Sequence, residues 1–102
     1  MSNLVVRYRT KAEHADENQE LVEAVFAELS ERHPAGLRYM SLRLADGLSF
    51  IHVVDVDDSL TASPLSLLNA FNRFTAGFAG RCDEQPVALD ATIVGSYRFD
   101  AD

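Results

Sequence analysis

Near the start of the chain polar and apolar residues alternate, with Leu4, Val6 and Tyr8 on one side of an extended backbone and Val5, Arg7 and Arg9 on the other. A period of two in a β-rich composition predicts a strand over 4–10. The period then lengthens. Leu21, Val22, Val25, Phe26 and Leu29 recur at helical spacing, Asp16 and Gln19 stand as in a capping box, and Glu17 and Glu20 sit near the positive helix end. These residues predict a helix from about Glu17 to Arg32, stopped by Pro34 and Gly36. Two further β-like runs, 37–44 and 48–56, flank Ala45-Asp46-Gly47, and an Asp-Gly pair between such runs is a hairpin signal. A polar loop over Asp57–Ser63 follows. Ser63-Pro64 then supplies a capping hydroxyl and a first-turn proline for a second helix, carried by Leu67, Leu68, Phe71, Phe74, Thr75 and Phe78 and ending between Ala76 and Arg81. After a loop over 83–86, alternation from Ala88 to Phe99 predicts the fourth strand.

Strand, helix, strand, strand, helix, strand is a ferredoxin-like α+β plan, βαββαβ, with a four-stranded antiparallel sheet and both helices on one face. No repeat, low-complexity tract or linker divides the chain, so residues 1–102 are read as a single domain. A turn at Asp46-Gly47 sets Leu42 opposite Ile51, Ser41 opposite His52, Met40 opposite Val53, Tyr39 opposite Val54 and Arg38 opposite Asp55. Met40, Leu42, Leu44, Ile51 and Val53 then share one face, and Tyr39, Ser41, Arg43, Phe50, His52 and Val54 the other. The second set is assigned to the side that the helices leave bare, together with Val5, Arg7, Thr92, Val94 and Ser96. That mixture is too apolar to expose freely. A second copy of the chain, pairing through the sheet as a two-fold homodimer, is expected to cover it.

Composition narrows the classes. Of 102 residues, 47% are hydrophobic and 25% charged, the balance of a chain that folds around a core. Nine Lys and Arg against sixteen Asp and Glu give a net charge of −7, which repels phosphate backbones and argues against nucleic acid. No basic start precedes a long apolar run, and no stretch approaches the roughly 20 apolar residues that cross a bilayer, so a cytoplasmic protein without a membrane partner is expected. Cys82 is the only cysteine, which rules out an intrachain disulfide. His14 and His33 have no metal-ligand spacing to His52, and Asp55, Asp57 and Asp58 lack the rhythm of a calcium loop, so no metal is expected. Phosphate loops, nucleophile elbows and dinucleotide glycine motifs are missing from the sequence.

The order of elements, the run Gly47-Leu48-Ser49-Phe50-Ile51-His52-Val53-Val54 and the proline-capped, phenylalanine-rich second helix resemble the dimeric α+β barrel superfamily, and within it the antibiotic biosynthesis monooxygenase-like small proteins. The resemblance covers nearly the whole chain and rests on pattern rather than on a catalytic signature. It implies a homodimer and, for some members, oxygenation of polyketide or quinol-like aromatics without a cofactor. The haem-degrading branch uses a Trp in the sheet and a His on the second helix, both missing here, and the branch with paired histidines has only His52 to offer. No cofactor is expected.

On this reading His52, Arg7 and Tyr39 are the catalytic candidates. An imidazole in a partly apolar pocket exchanges a proton with an acidic phenol, Arg7 stabilises the resulting anion, and Tyr39 positions the ring. Ser41, Phe50, Tyr8 and Phe71 are candidates for holding a small aromatic ligand. Because a one-residue slip in the hairpin reverses every facing, a pocket lined by Tyr8, Met40, Phe71 and Phe74 stands as the alternative. A second function class, a non-catalytic homodimer that binds a small ligand or serves as an interaction module, fits the lack of a complete catalytic set.

Overall fold

The computed structural model of the chain describes residues 2–60 and 63–99. Strand β1 (Ser2–Thr10) leads through a 3-10 turn, Ala12–His14, into helix α1 (Ala15–Arg32). The hairpin β2 (Leu37–Arg43) and β3 (Ser49–Val56) follows. After it come a second 3-10 turn, Pro64–Leu67, the helices α2 (Asn69–Ala76) and α3 (Phe78–Arg81), and strand β4 (Cys82–Ala91). The sheet is antiparallel in the order β2-β3-β1-β4, with the helices on one face. This is the expected ferredoxin-like arrangement. Among the described residues, no helix is long and apolar enough to cross a membrane.

The hairpin has the register read from the sequence: Leu42 pairs Ile51, Ser41 pairs His52, Met40 pairs Val53, Tyr39 pairs Val54 and Arg38 pairs Asp55. Its loop is longer than a two-residue turn. The Gly47 N–H donates to the Leu44 carbonyl at 3.0 Å, and Gly47 takes φ 74°, a left-handed conformation that glycine adopts without a Cβ clash. The Asp46 carboxylate accepts from the backbone N–H groups of Leu48 and Ser49 at 2.9 and 2.8 Å and from the Ser49 hydroxyl at 2.6 Å.

The facing of β3 is the reverse of the one expected. Phe50 and His52 are buried against the helices, and Val54 packs beside them, whereas Met40, Leu42, Ile51 and Val53 turn to the open side. Pairing to β1 explains the correlation between strands. Val6 lies opposite His52 and Tyr8 opposite Phe50 on the helix side, while Val5 lies opposite Val53 and Arg7 opposite Ile51 on the other. Aromatic rings fill the gap between sheet and helices. Tyr8 stacks on Phe50 with ring centres 5.5 Å apart and meets the edge of Phe78 at 4.6 Å.

Helix ends and the last strand also differ from expectation. The Asp16–Gln19 capping box does not form, since α1 starts at Ala15, two residues earlier than expected, and both side chains accept hydrogen bonds from Arg43, at 3.2 and 2.7 Å. The second helix is interrupted. Ser63 caps the 3-10 turn through Leu65, Leu68 is extended, and α2 then begins with the N–H groups of Asn69 and Ala70 donating to Glu28 of α1. Within the predicted loop over 57–63, Thr61 and Ala62 lie outside the described residues. Strand β4 begins at Cys82 rather than Ala88, because Asp83–Pro86 continue the edge pairing through two irregularities in register against β1. Thr92, Val94 and Ser96 therefore lie beyond the sheet.

The turn carboxylate links stability to pH. Hydrogen bonds from the Ser49 hydroxyl and from the Leu48 and Ser49 N–H groups hold the Asp46 carboxyl down to about 2. A depressed carboxylate pKa stabilises the fold above the unfolded value near 3.8 and ceases to do so as pH falls through about 2. Asp46→Ala should thus lower the thermal midpoint at pH 7, and calorimetry from pH 7 to pH 2 should show the gap to the wild type closing across that acidic window.

Candidate functional site

His52 comes from the middle of β3 and points toward the helices, where it is buried beneath α2. Both ring nitrogens are engaged. Nδ1 lies 2.5 Å from the Tyr39 hydroxyl on the neighbouring strand β2, and Nε2 lies 2.8 Å from the Tyr8 hydroxyl on β1. Strand pairing creates this constellation: β3 is the shared neighbour of β1 and β2, so one central imidazole reaches a tyrosine on each side. The chain of hydrogen bonds continues into the helices. Asn18 of α1 donates its amide to the Tyr8 oxygen at 2.8 Å, and its carbonyl accepts from Arg81 Nε of α3 at 3.2 Å. Arg81 in turn donates to the Phe74 carbonyl and lies over the Phe74 and Phe78 rings.

Burial determines the ionisation of this group. Removal from water pushes the His52 imidazole down to about 4, so it is neutral near pH 7. The Tyr8 and Tyr39 hydroxyls are pushed up, chiefly by the same desolvation, and stay protonated. The network is a string of neutral donors and acceptors ending on one guanidinium.

Beside it lies a cavity of about 440 Å³ between sheet and helices. Tyr8, Tyr39, His52, Phe71, Phe74 and Phe78 contribute to its wall, Leu4, Val6 and Val54 extend the apolar surface, and Ser63, Ser66 and Asp90 bring polar groups. Such a shape and lining suit a small, flat, mostly apolar molecule with a few oxygens.

Of the residues singled out in the sequence, His52, Tyr39, Tyr8 and Phe71 converge on this cavity. Ser41 is the β2 partner of His52 on the same side, partly buried, and outside the cavity lining. Phe50 is core rather than lining, stacked on Tyr8 and capped by the Arg43 guanidinium at 5.5 Å. Arg7 is not near His52: it pairs with Ile51 and is exposed on the opposite side of the sheet, so it cannot stabilise an anion in the cavity. Met40 is likewise on that far side, which leaves Tyr8, Phe71 and Phe74 of the alternative lining. Asn18 and Arg81 were not singled out. Asn18 carried a signal, because it precedes Val22 and Val25 by four and seven positions and so places an amide on the buried stripe of α1. Arg81, beyond two glycines at the end of a broken helix, carried none.

No protein-family model and no curated protein matches the sequence. Solved structures do match in shape. An antibiotic biosynthesis monooxygenase superposes with a TM-score of 0.70 at 15% identity, covering 93% of this chain and 100% of that one. PA3566 from Pseudomonas aeruginosa gives 0.68 at 18% identity, covering 90% and 94%. A variant of SnoaB, a cofactor-independent oxygenase from Streptomyces nogalater, gives 0.66 at 15% identity, covering 95% and 96%. The chain therefore has the ferredoxin-like α+β fold of the antibiotic biosynthesis monooxygenase structures.

The buried imidazole has a measurable consequence. Its pKa is lowered on folding, so the folded state binds fewer protons than the unfolded state between about 4 and 6.5. Stability is complete above 6.5 and falls as pH drops through that window, by up to roughly 3 kcal/mol at 1.36 kcal/mol per unit. Denaturant titrations of wild type and His52→Gln at pH 7.5 and pH 4 should show the wild type losing that much more stability than the variant; parallel losses would mean the imidazole is not buried neutral.

Proposed function

We propose that this chain is a cofactor-independent monooxygenase of small aromatic or polyketide-type substrates, held between sheet and helices with one substrate oxygen at the Tyr39 hydroxyl. The observation that carries the reading is the apolar, aromatic-walled cavity with the His52–Tyr39 pair buried in its side. A methylene or ring C–H activated by a neighbouring carbonyl or phenol gives its proton to the Asp90 carboxylate in the cavity wall, leaving an enolate, and the same proton later returns to the peroxide. The enolate passes one electron to dioxygen, and the radical pair combines to a hydroperoxide. Loss of water leaves a new carbonyl, so CH2 and O2 become C=O and H2O. In this scheme the apolar walls exclude water from the reactive carbanion, and Tyr39 meets the oxygen on which charge develops. His52 acts through Tyr39, because both of its nitrogens are already occupied by tyrosine hydroxyls. It is a positioning residue here rather than a base that touches substrate.

The opposite face supports the homodimer. Val87 and Leu89 are 55% and 61% exposed there on one edge strand, and Met40 and Leu42 are 39% and 44% exposed on the other, apolar surface of the kind that marks an interface. The segment after β4 brings Ile93 and Phe99 alongside Met40 and Val53. A cytoplasmic location suits the single, buried Cys82. A non-catalytic ligand-binding homodimer is the second reading, favoured by the saturation of the His52 nitrogens. It retains a ligand without turning it over.

Oxygen uptake with anthrone or a dihydroxynaphthalene separates the two. The wild type should form the quinone, and Tyr39→Phe should lower kcat by roughly 10²-fold, the scale of one lost oxyanion donor. Tight binding of these compounds without oxygen consumption would favour the second reading. For assembly, sedimentation at micromolar concentration should give a dimer for the wild type and a protomer for Leu89→Arg; a monomeric wild type would remove the interface.

A further inference from the structure

The buried chain of hydrogen bonds has a direction, and the residue at its end sets it. Arg81 is a donor only, so the Asn18 atom facing its Nε at 3.2 Å has to be the amide oxygen. That choice turns the Asn18 NH2 toward Tyr8, whose oxygen accepts at 2.8 Å. With its oxygen accepting from Asn18, the Tyr8 hydroxyl hydrogen is free for His52 Nε2, 2.8 Å away. A neutral imidazole that accepts at Nε2 carries its proton on Nδ1 and donates it to the Tyr39 oxygen. The reverse polarity would point His52 Nε2–H and the Asn18 amide at the Tyr8 oxygen together and leave the Tyr8 hydrogen without an acceptor in the chain, which is costly at a buried site.

We infer that Arg81, through Asn18, Tyr8 and His52, orients the Tyr39 hydroxyl as a hydrogen-bond donor into the cavity, so that the cavity selects ligands presenting an acceptor oxygen, a carbonyl or an enolate, at that point. This rests on the cavity being the ligand site and deepens that reading: the buried tyrosine–histidine pair is a clamp for an oxygen bearing negative charge and not an acceptor for the substrate's proton. Asn18, Tyr8, His52 and Arg81 are positioning residues for Tyr39. All five groups belong to different elements, β1, α1, β2, β3 and α3, so the direction is a property of the tertiary fold.

Asn18→Asp tests the direction, because a carboxylate accepts from Arg81 and from Tyr8 alike. In that variant Tyr8 donates to the introduced carboxylate, its oxygen accepts from His52 Nε2–H, and Tyr39 donates to Nδ1, which turns Tyr39 lone pairs toward the cavity. Nitrogen-15 NMR of the full-length protein, with the His52 signals assigned by their loss in His52→Gln, should show the proton on Nδ1 in the wild type and on Nε2 in Asn18→Asp. Binding of α-tetralone, an acceptor, relative to indole, a donor, should be favoured in the wild type and shift by roughly tenfold toward indole in the variant, the scale of one neutral hydrogen bond. A wild-type proton on Nε2 overturns the inference even if Asn18→Asp fails to fold, as does an unchanged tautomer in a folded variant. An unchanged probe preference alongside a switched tautomer overturns the selection of acceptor oxygens. If neither probe binds, the ligand site under the proposed function fails, and with it the selection, while the tautomer still decides the direction of the chain.

Discussion

An imidazole buried in the middle of a sheet has to find a partner for each nitrogen or the fold carries an unsatisfied polar atom in its core. His52 meets that requirement with tyrosines on the two strands beside its own. From it follow the neutrality of the ring, the ordering of Tyr39 at the cavity wall, and the need for Asn18 and Arg81 behind Tyr8. The same five side chains tie three strands to α1 and α3. Structure and candidate chemistry thus rest on one network, and its cost in buried polar groups is offset by the hydrogen bonds that link Arg81, Asn18, Tyr8, His52 and Tyr39.

The sheet divides two tasks between its faces. Toward the helices, aromatic rings fill the space incompletely and leave a cavity with a polar seam. Away from them, Met40, Leu42, Val87 and Leu89 make an apolar surface with no helix to cover it. A ferredoxin-like chain carries its helices on one face of the sheet alone, so the other face lacks that cover. That division also separates Arg7 from His52, although their strands are neighbours, because one residue of offset reverses the side.

The order of elements and the register of the hairpin were legible, since a period of two, a period of helical length and an Asp-Gly turn each follow from local geometry. Facing was not. Met40, Leu42, Ile51 and Val53 look more like a core than Tyr39, Phe50 and His52 do, and hydrophobicity alone sends them inward. The structure places the aromatic set inside because rings of that volume span the gap to α1 and α2, and because the imidazole and phenol groups satisfy one another there. The polar stretch Asp83–Pro86 concealed the start of β4, since an edge strand exposes most of its side chains and tolerates irregular pairing. Tyr39 and Ser41 follow from the hairpin register as neighbours of His52 on one sheet face, whereas Arg7, grouped with them, lies on the other face. Arg81 was out of reach, because its role depends on how a broken helix returns the chain to α1.

A crystal structure of the protein with a bound hydroxynaphthoquinone tests the central claim most directly. The account predicts the rings between sheet and helices, against Phe71 and Phe74, with a ligand oxygen at hydrogen-bond distance, about 2.6–3.0 Å, from the Tyr39 hydroxyl. A ligand seated on the open face of the sheet, or a cavity closed by rearranged side chains with His52 turned away from Tyr39, would contradict it.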